Sequence, residues 1–139
     1  MAFIGSVEDR LAIRELYSAS ADGSCRGDRE DWLACWADNG HWITHVFECV
    51  GKDAIRQQWD VLWNNFSSVF FIGDVGALEV CGDRATARSS AREIVRLKSG
   101  GIYRLAGLYE DELVREESGW LFVRRNYIPL VEELPDQPA

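Results

Sequence analysis

The stretch LAIRELYSASADGSCRGDREDWLACWADNGHW, residues 11–42, decides the fold. Its first half repeats apolar residues close to the 3.6-residue period of an amphipathic helix. A Gly-Asp pair interrupts this pattern, and a shorter apolar face follows before the chain turns into a strand. A long helix that lies across a curved sheet leaves a space between the two layers, and the side chains that line this space decide the function.

Two helices are predicted around this stretch. The first spans residues 7–26, because an acidic first turn suits its N-terminus and Gly27 suits its end. Asp28 then caps a second, short helix that ends in Trp36. The Asn-Gly pair at residues 39–40 indicates a turn.

The remainder of the chain changes character and is rich in long strands. The predicted strands are 41–50, 67–80, 84–97, 102–115 and 120–130, and a third helix is predicted over 53–64. Turn residues divide the last four strands at a spacing that suits antiparallel hairpins. Helices followed by long strands predict a single α+β domain over residues 1–131, and the tail 132–139 is expected to be frayed.

Composition and charge exclude several classes of partner. The formal net charge is −8, so we expect the field of the protein to repel phosphate backbones and no nucleic acid to bind. No stretch approaches the roughly 20 apolar residues of a membrane span, and the first residues lack the features of a secretory signal. We therefore expect a cytoplasmic protein without a membrane partner.

The four cysteines predict neither a metal site nor a disulfide framework. They show no CxxC spacing and have no pair of histidines nearby. Free, buried thiols are the expectation, and no metal or other cofactor is indicated.

Four segments carry a family resemblance that covers nearly the whole chain. They read IRELYSASADGSCRGD, DWLACWADNGHW, GKDAIRQQW and GLYEDELVREESGWLFVRR. Their order and spacing resemble the SnoaL-like families of the nuclear transport factor 2-like superfamily. The resemblance implies a cone-shaped α+β barrel, whose curved sheet wraps around the N-terminal helices and encloses an internal pocket for a small molecule.

The resemblance also shows what this chain lacks. The scytalone dehydratase and lindane dehydrochlorinase members of the superfamily remove a proton with an Asp near the end of the first helix and a His on the first long strand. The Asp position falls on Cys25 here, and the His position falls on Phe71 or its neighbour Phe70. A neutral thiol does not simply replace a carboxylate, because an unperturbed cysteine has a pKa of about 8.5.

Side chains alternate across a strand, so one inward residue fixes the direction of its neighbours. By resemblance Trp42 faces the pocket, which places Thr44 inside as well. The same alternation turns His41 and His45 outward, away from the cavity.

The later strands are expected to supply the polar side chains of the pocket. On 84–97 the odd positions are small and mostly apolar, so this face is predicted to point inward and to carry Ser89 and Glu93. On the last two strands, the family resemblance indicates which side chains face the pocket. Its residues are Tyr103, Leu105, Gly107, Tyr109, Asp111, Leu121, Val123, Arg125 and Tyr127.

An inward arginine is costly unless it is paired. Glu93 is the first candidate partner of Arg125 and Asp111 is the alternative. Arg125 is then either part of a structural salt bridge or a clamp for an anionic substrate. Asp22, three residues before Cys25, is either a second candidate acid near the cavity wall or a carboxylate at the helix edge that is bonded to a neighbouring strand or to solvent.

Two functions remain open from these residues. The first is a cofactor-independent lyase, isomerase or cyclase that acts on a small, mainly apolar cyclic compound. Glu93 or Asp22 is its acid or base, and Tyr103, Tyr109 and Arg125 polarise a substrate oxygen. The second is a ligand-binding or assembly protein that kept the fold and lost the chemistry. A third hypothesis, catalysis by a Cys25 thiolate, is opposed by the helix dipole.

The outer face of the predicted sheet suggests a homo-oligomer, with a dimer preferred. This face mixes aromatic, apolar and arginine side chains, a composition common in interfaces. The residues assigned to it are Arg88, Arg92, Ile94, Trp120, Phe122 and Arg124.

Overall fold

The computed structural model describes residues 3–136 and shows three helices packed on one seven-stranded sheet. The helices are α1 (Val7–Arg26), α2 (Arg29–Leu33) and α3 (Lys52–Trp63). The strands are β1 (Phe3–Ile4), β2 (Trp36–Ile43), β3 (Glu48–Val50), β4 (Phe66–Cys81), β5 (Arg84–Leu97), β6 (Ile102–Glu116) and β7 (Gly119–Glu133). None of the helices in this part of the chain is long and apolar enough to cross a membrane.

The strands lie in the order β1-β4-β5-β6-β7-β2-β3. The β4, β5, β6 and β7 strands form an antiparallel meander, while β1 pairs with β4 and β2 pairs with β7 in parallel. The predicted α+β class, with a curved and mostly antiparallel sheet beside N-terminal helices, is confirmed. The sheet is open rather than a closed barrel, since β1 and β3 form its two edges.

The α1 helix begins and ends where the sequence predicts. The Ser6 hydroxyl accepts a hydrogen bond of 3.0 Å from the backbone N–H of Asp9. Gly27 adopts a left-handed conformation with φ of 64°, and its N–H bonds back to the last turn. Both caps satisfy backbone groups that a helix end leaves unpaired.

The predicted turn at residues 39–40 is wrong, because these residues lie inside β2. The β2 strand begins at Trp36, which pairs with β7 and shortens the predicted second helix to α2. A Cβ atom on Gly40 would lie 2.8 Å from the Trp36 ring. Gly40 therefore admits the indole ring against the backbone and does not reverse the chain.

The main core lies between α1, α2 and the concave face of the sheet. Its largest fully buried side chains are Ile13, Leu33, Trp36, Ile55, Leu78, Val95, Leu113 and Phe122. A smaller cluster of buried residues follows on β5, β6 and β7, formed by Ala91, Leu105, Tyr109 and Tyr127. Two of these four residues are tyrosines, so this second cluster brings phenol hydroxyl groups into the interior.

The inward line of β7 differs from the prediction over its first half. The register with β6 shifts between Glu112 and Leu113, as a β-bulge inserts one extra residue in β7. Trp120 and Phe122 are therefore buried in place of Leu121 and Val123, and they are not part of the outer face. After the bulge the phase reverses, so that the predicted Arg125 and Tyr127 do face inward.

The predicted tail begins at residue 132, whereas the last strand ends two residues into it. The β7 strand continues to Glu133, and Glu132 pairs with Leu105 of β6. Residues 134–136 carry no regular secondary structure, and residues 137–139 of the expected tail lie outside the described residues.

We expect Gly107→Ala to destabilise the fold by about 1–3 kcal/mol, because the added methyl group has no free space. It would collide with the carbonyl oxygen of Ile128 and lie 2.8 Å from the hydroxyl of Tyr127. Urea denaturation followed by circular dichroism measures the loss. Gly76→Ala is the matched control: its methyl group would meet nothing closer than the Arg88 carbonyl at 3.7 Å, so equal losses in both variants would contradict the packing argument.

Candidate functional site

An internal cavity of about 140 Å³ lies between the helices and the concave face of the sheet. Its apolar wall consists mainly of aromatic rings from α2, β2, the loop between β2 and β3, α3 and β4, namely Trp32, Trp36, Trp42, Phe47, Trp59, Trp63, Phe66 and Phe71. The rings are packed in series, with centroids 4.7 Å apart for Trp32 and Trp59 and 5.2 Å apart for Trp59 and Trp63. Such a wall suits a flat, mainly apolar ligand.

The polar end of the cavity is built by β5, β6 and β7. Its side chains are Glu93, Tyr103, Tyr109, Arg125 and Tyr127. They meet because the alternating inward positions of three neighbouring antiparallel strands come together on the concave face. The Tyr109 and Tyr127 rings lie 4.8 Å apart, measured between centroids.

Arg125 is bound to Asp111 and not to Glu93, so the first candidate partner is wrong and the alternative is correct. Its Nε lies 2.9 Å from Asp111 Oδ1, and one terminal nitrogen lies 3.1 Å from Oδ2. The Tyr17 hydroxyl of α1 also donates to Asp111. Asp111 has no exposed side-chain surface, and this two-point pairing offsets the cost of burying both charges.

Three aromatic rings enclose the Arg125 guanidinium. Its carbon lies 3.9 Å from the ring centroid of Tyr109, 4.2 Å from that of Phe122 and 5.1 Å from that of Tyr17. Burial alone lowers the pKa of Arg125, but the Asp111 carboxylate beside it raises that pKa above its ordinary value. Arg125 is therefore a fixed cation whose charge is already balanced.

Glu93 is the carboxyl group left over by this pairing. It makes no hydrogen bond and no salt bridge within residues 3–136, although it lines the cavity. Burial raises the pKa of Glu93 to about 7, against a smaller opposing effect of Arg125. A carboxyl group near half-ionisation at neutral pH is suited to proton transfer.

The phenols around Glu93 remain hydrogen-bond donors. Burial raises the pKa of Tyr109 and of Tyr127 above the ordinary value, and the Glu93 carboxylate raises both further. Neither hydroxyl bonds to another residue in the described part of the chain. Both are thus free to bind an oxygen atom of a ligand.

His45 lines the cavity, which corrects the prediction that it faces outward. The alternation of β2 stops at Ile43, and the Thr44 hydroxyl then accepts the backbone N–H groups of Val46 and Phe47 at 3.2 Å. This turn swings His45 to the cavity rim. There its Nε2 lies 3.5 Å from Glu132, which also accepts a 2.7 Å hydrogen bond from Tyr103. His41 bonds to Glu48 at the neighbouring edge strand.

Most of the predicted site residues meet at this cavity. Those that line it are Trp42, Thr44, Phe71, Glu93, Tyr103, Leu105, Tyr109, Arg125 and Tyr127. Ser89 is buried instead beside a separate void of about 10 Å³, which Tyr17 and Arg125 also line. Asp22 is exposed and bonded to Arg26, so it does not reach the cavity.

The prediction of buried thiols holds for Cys35 and Cys49 but is wrong for Cys25 and Cys81, which are exposed. Cys25 lies outside the cavity but directly against the backbone of Phe71. The Phe71 N–H points to the sulfur at 3.2 Å, and the thiol donates to the Phe71 carbonyl oxygen at 3.3 Å. The two positions that the resemblance assigns to an Asp and a His are therefore neighbours in space. In this chain they form a small backbone contact and no titratable pair.

Sequence reasoning misses both the contact made by the Tyr17 hydroxyl and the unpaired state, within residues 3–136, of the Trp36 indole nitrogen. Tyr17 fits the apolar face of α1 in the sequence pattern, although its hydroxyl reaches Asp111. Trp36 lines the cavity, and its indole nitrogen has no hydrogen-bond partner among residues 3–136. No periodicity reports such contacts, because they depend on how deeply α1 and α2 sit in the sheet. Within the described residues no group of three side chains is placed to hold a metal ion.

Comparison with known proteins identifies relatives over almost the full length. The profile of the SnoaL-like domain matches residues 5–126. A protein of Novosphingobium aromaticivorans DSM 12444 that is proposed to be a scytalone dehydratase has a TM-score of 0.85 at 18% identity, over 91% of this chain and 87% of its own. A proposed aromatic ring hydroxylase of the same species has a TM-score of 0.88 at 23% identity, over 95% and 96%.

A third similar structure is the hexachlorocyclohexane dehydrochlorinase LinA-type3 of Novosphingobium barchaimii LL02. Its TM-score is 0.79 at 22% identity, and the match covers 94% of each chain. At these identities the solved structures share the fold with this protein. No protein with a curated description matches the chain.

We expect Glu93→Gln to stabilise the protein, and more so at high pH. Between about pH 4.5 and pH 7 the folded state holds a proton on Glu93 that the unfolded state has released, so stability falls as pH rises. The gain from Glu93→Gln should be about 2 kcal/mol larger at pH 8 than at pH 5. Urea denaturation at both pH values tests this, with exposed Glu110→Gln as control; a gain independent of pH would contradict the assignment.

Proposed function

This protein belongs to the SnoaL-like domain family, and from that premise we propose that it is a cofactor-independent lyase, isomerase or cyclase. The match over residues 5–126 confirms the resemblance found in the sequence. The proposed substrate is a small, mainly apolar cyclic compound. A cavity of about 140 Å³ with aromatic walls supports this size, since an engineered apolar cavity of about 150 Å³ in another protein binds benzene.

The unpaired Glu93 carboxyl is the observation that carries the proposal. It lines the cavity and has no protein partner within residues 3–136, and burial raises its pKa to about 7. A carboxylate with this pKa accepts a proton from carbon more readily than an ordinary glutamate does and remains partly ionised at neutral pH. We assign Glu93 as the general base.

Tyr109 and Tyr127 are the proposed electrophilic partners of Glu93. When Glu93 removes a proton next to a substrate carbonyl group, negative charge develops on the carbonyl oxygen, and a phenol hydroxyl stabilises it by hydrogen bonding. In an isomerase step the carboxylic acid returns the proton to another atom. In a lyase step the electron pair forms a double bond while a leaving group departs with its own electrons.

Arg125 is proposed to support this end of the cavity without binding the substrate as a counter-ion. Its guanidinium is committed to Asp111 by two hydrogen bonds, and the Tyr109 ring packs on its face at 3.9 Å. The cation lowers the pKa of Glu93 relative to burial alone, and it holds the phenol ring of Tyr109 in place. We treat Arg125 as a positioning residue.

A second candidate function is ligand binding without turnover. It is favoured by the contact of Cys25 with Phe71, which occupies the position where related enzymes hold their proton-abstracting pair. In this alternative Glu93 anchors a hydroxyl group of the ligand. The two functions differ in one respect that is open to measurement, which is whether a bound compound is converted.

We expect conversion of at least one compound in a panel of small cyclic ketones, alcohols and chlorinated compounds. For that compound, kcat/KM should rise with pH to a plateau above about pH 7, because the carboxylate form of Glu93 is the base. Glu93→Gln should lower kcat by at least about 10²-fold. Exposed Glu110→Gln is the matched control. Equal rates in wild type and Glu93→Gln would remove Glu93 from the mechanism.

We also propose that the protein forms a homodimer through the outer face of the sheet. With Trp120 and Phe122 buried, the apolar centre of this face consists of Phe70, Ile72, Ile94, Leu108, Ile128 and Val131. Phe70 is 49% and Ile72 is 52% exposed, which is unusual for side chains of this size. Exposed charged groups of both signs lie on the same face, including Arg92 and Glu79, so a second copy offers complementary charges.

Light scattering coupled to size-exclusion chromatography is expected to give twice the 15.8 kDa chain mass. Ile72→Asp should give a monomer, because it places a charge in the apolar centre of the proposed interface. Val61→Asp on α3 is the control, since Val61 is similarly exposed, at 56%, but lies on a helix. A wild-type protein that elutes only as a monomer would refute the dimer.

A further inference from the structure

The polar end of the cavity contains a cation that is already neutralised. Arg125 lines the cavity, while its partner Asp111 lies behind it and is not part of the lining. The side chain of Asp111 is wholly buried, and both of its oxygens bind the guanidinium. The pair as a whole therefore carries no net charge, and the guanidinium is the member that lines the cavity.

Two further carboxyl groups near this end of the cavity disfavour the binding of anions. Glu93 faces the cavity from β5, and Glu132 lies at the rim with Tyr103 and His45. A ligand carboxylate would lose its hydration, would find the charge of Arg125 taken, and would face the Glu93 carboxyl. Burying a charge without a counter-charge is strongly unfavourable, so an uncharged ligand of the same shape is preferred.

We infer that Asp111 determines the charge selectivity of the cavity, by occupying Arg125 so that uncharged cyclic ligands bind and carboxylates are rejected. This inference rests on the proposed function only in taking the cavity as the ligand site. It gives Asp111 a role in specificity that pairing alone does not require. Removal of its charge should convert Arg125 from a structural partner into a binding site for anions.

Two isosteric probes separate charge from shape, namely benzamide, which is neutral, and benzoate, which is an anion. The tryptophans of the cavity wall report binding through their fluorescence, and no turnover is needed. Wild type should bind benzamide at least about tenfold more tightly than benzoate, because no free cation compensates the carboxylate. Equal affinities would overturn the inference.

Asp111→Asn keeps the shape of the side chain and removes its charge. We expect it to bind benzoate at least about tenfold more tightly than wild type does, with little change for benzamide. Glu112→Gln is the matched control, because Glu112 is the exposed neighbour on the same strand and should leave both affinities unchanged. An unchanged affinity of folded Asp111→Asn for benzoate would overturn the inference.

Asp111→Asn leaves a buried cation unpaired, so a second variant protects the test against a failure to fold. Asp111→Leu combined with Arg125→Met replaces the pair with apolar groups of similar volume, which proteins often tolerate. Neither wild type nor the double variant carries a net charge at positions 111 and 125 taken together. The double variant should therefore keep the wild-type preference for benzamide. A stronger rejection of benzoate in the double variant would show that Arg125 already attracts anions in wild type, and would overturn the inference.

Glu93→Gln separates the two carboxylates and also separates this inference from the proposed function. The preference for benzamide should persist in Glu93→Gln, because Asp111 still occupies Arg125; its loss would assign the selectivity to Glu93 and overturn the inference. Conversely, a protein that binds the probes with the expected selectivity but converts no compound would contradict the proposed catalysis and leave the role of Asp111 in place.

Discussion

The buried ion pair of Arg125 and Asp111 is the interaction on which the rest of the cavity depends. It joins β7 to β6, and the Tyr17 hydroxyl ties α1 to the same carboxylate. Loss of one partner of such a pair typically costs about 3–5 kcal/mol, because the other charge is left buried and alone. The pair therefore fixes the spacing between the long helix and the sheet, and with it the depth of the cavity.

The same pairing explains why Glu93 has unusual properties. In the sequence, Glu93 and Asp111 are both candidate partners of Arg125. In the structure Asp111 binds Arg125, and Glu93 remains a single carboxyl group without a salt bridge in the described part of the chain. Because Asp111 binds the guanidinium at two points, Glu93 is left without a direct ion-pair partner within residues 3–136. The raised pKa of Glu93 comes from burial, and the Arg125 cation opposes this effect only in part.

Sequence patterns were sufficient for the class of fold, for α1 and for the inward line of β5, where alternating small residues mark the face. They were insufficient wherever the alternation is interrupted. The bulge that buries Trp120 and Phe122 inserts one residue, and no Gly or Pro at this point of the sequence indicates it. The prediction for His45 fails for a related reason, since β2 ends at Ile43 and the Thr44 turn sets the direction of the next side chains. In both cases the error lies in the direction assigned to the side chains and not in the type of element predicted.

The contact between Cys25 and Phe71 joins α1 to β4 at the two positions that the resemblance assigns to an Asp and a His. The sulfur binds the backbone N–H and carbonyl of Phe71, so the neighbouring positions on α1 and β4 remain joined by a contact that needs no charge. Glu93 pairs in register with Phe71 across β4 and β5, one strand from that contact. A carboxyl group there faces the same cavity from the sheet, and its basicity comes from burial instead of from a histidine partner.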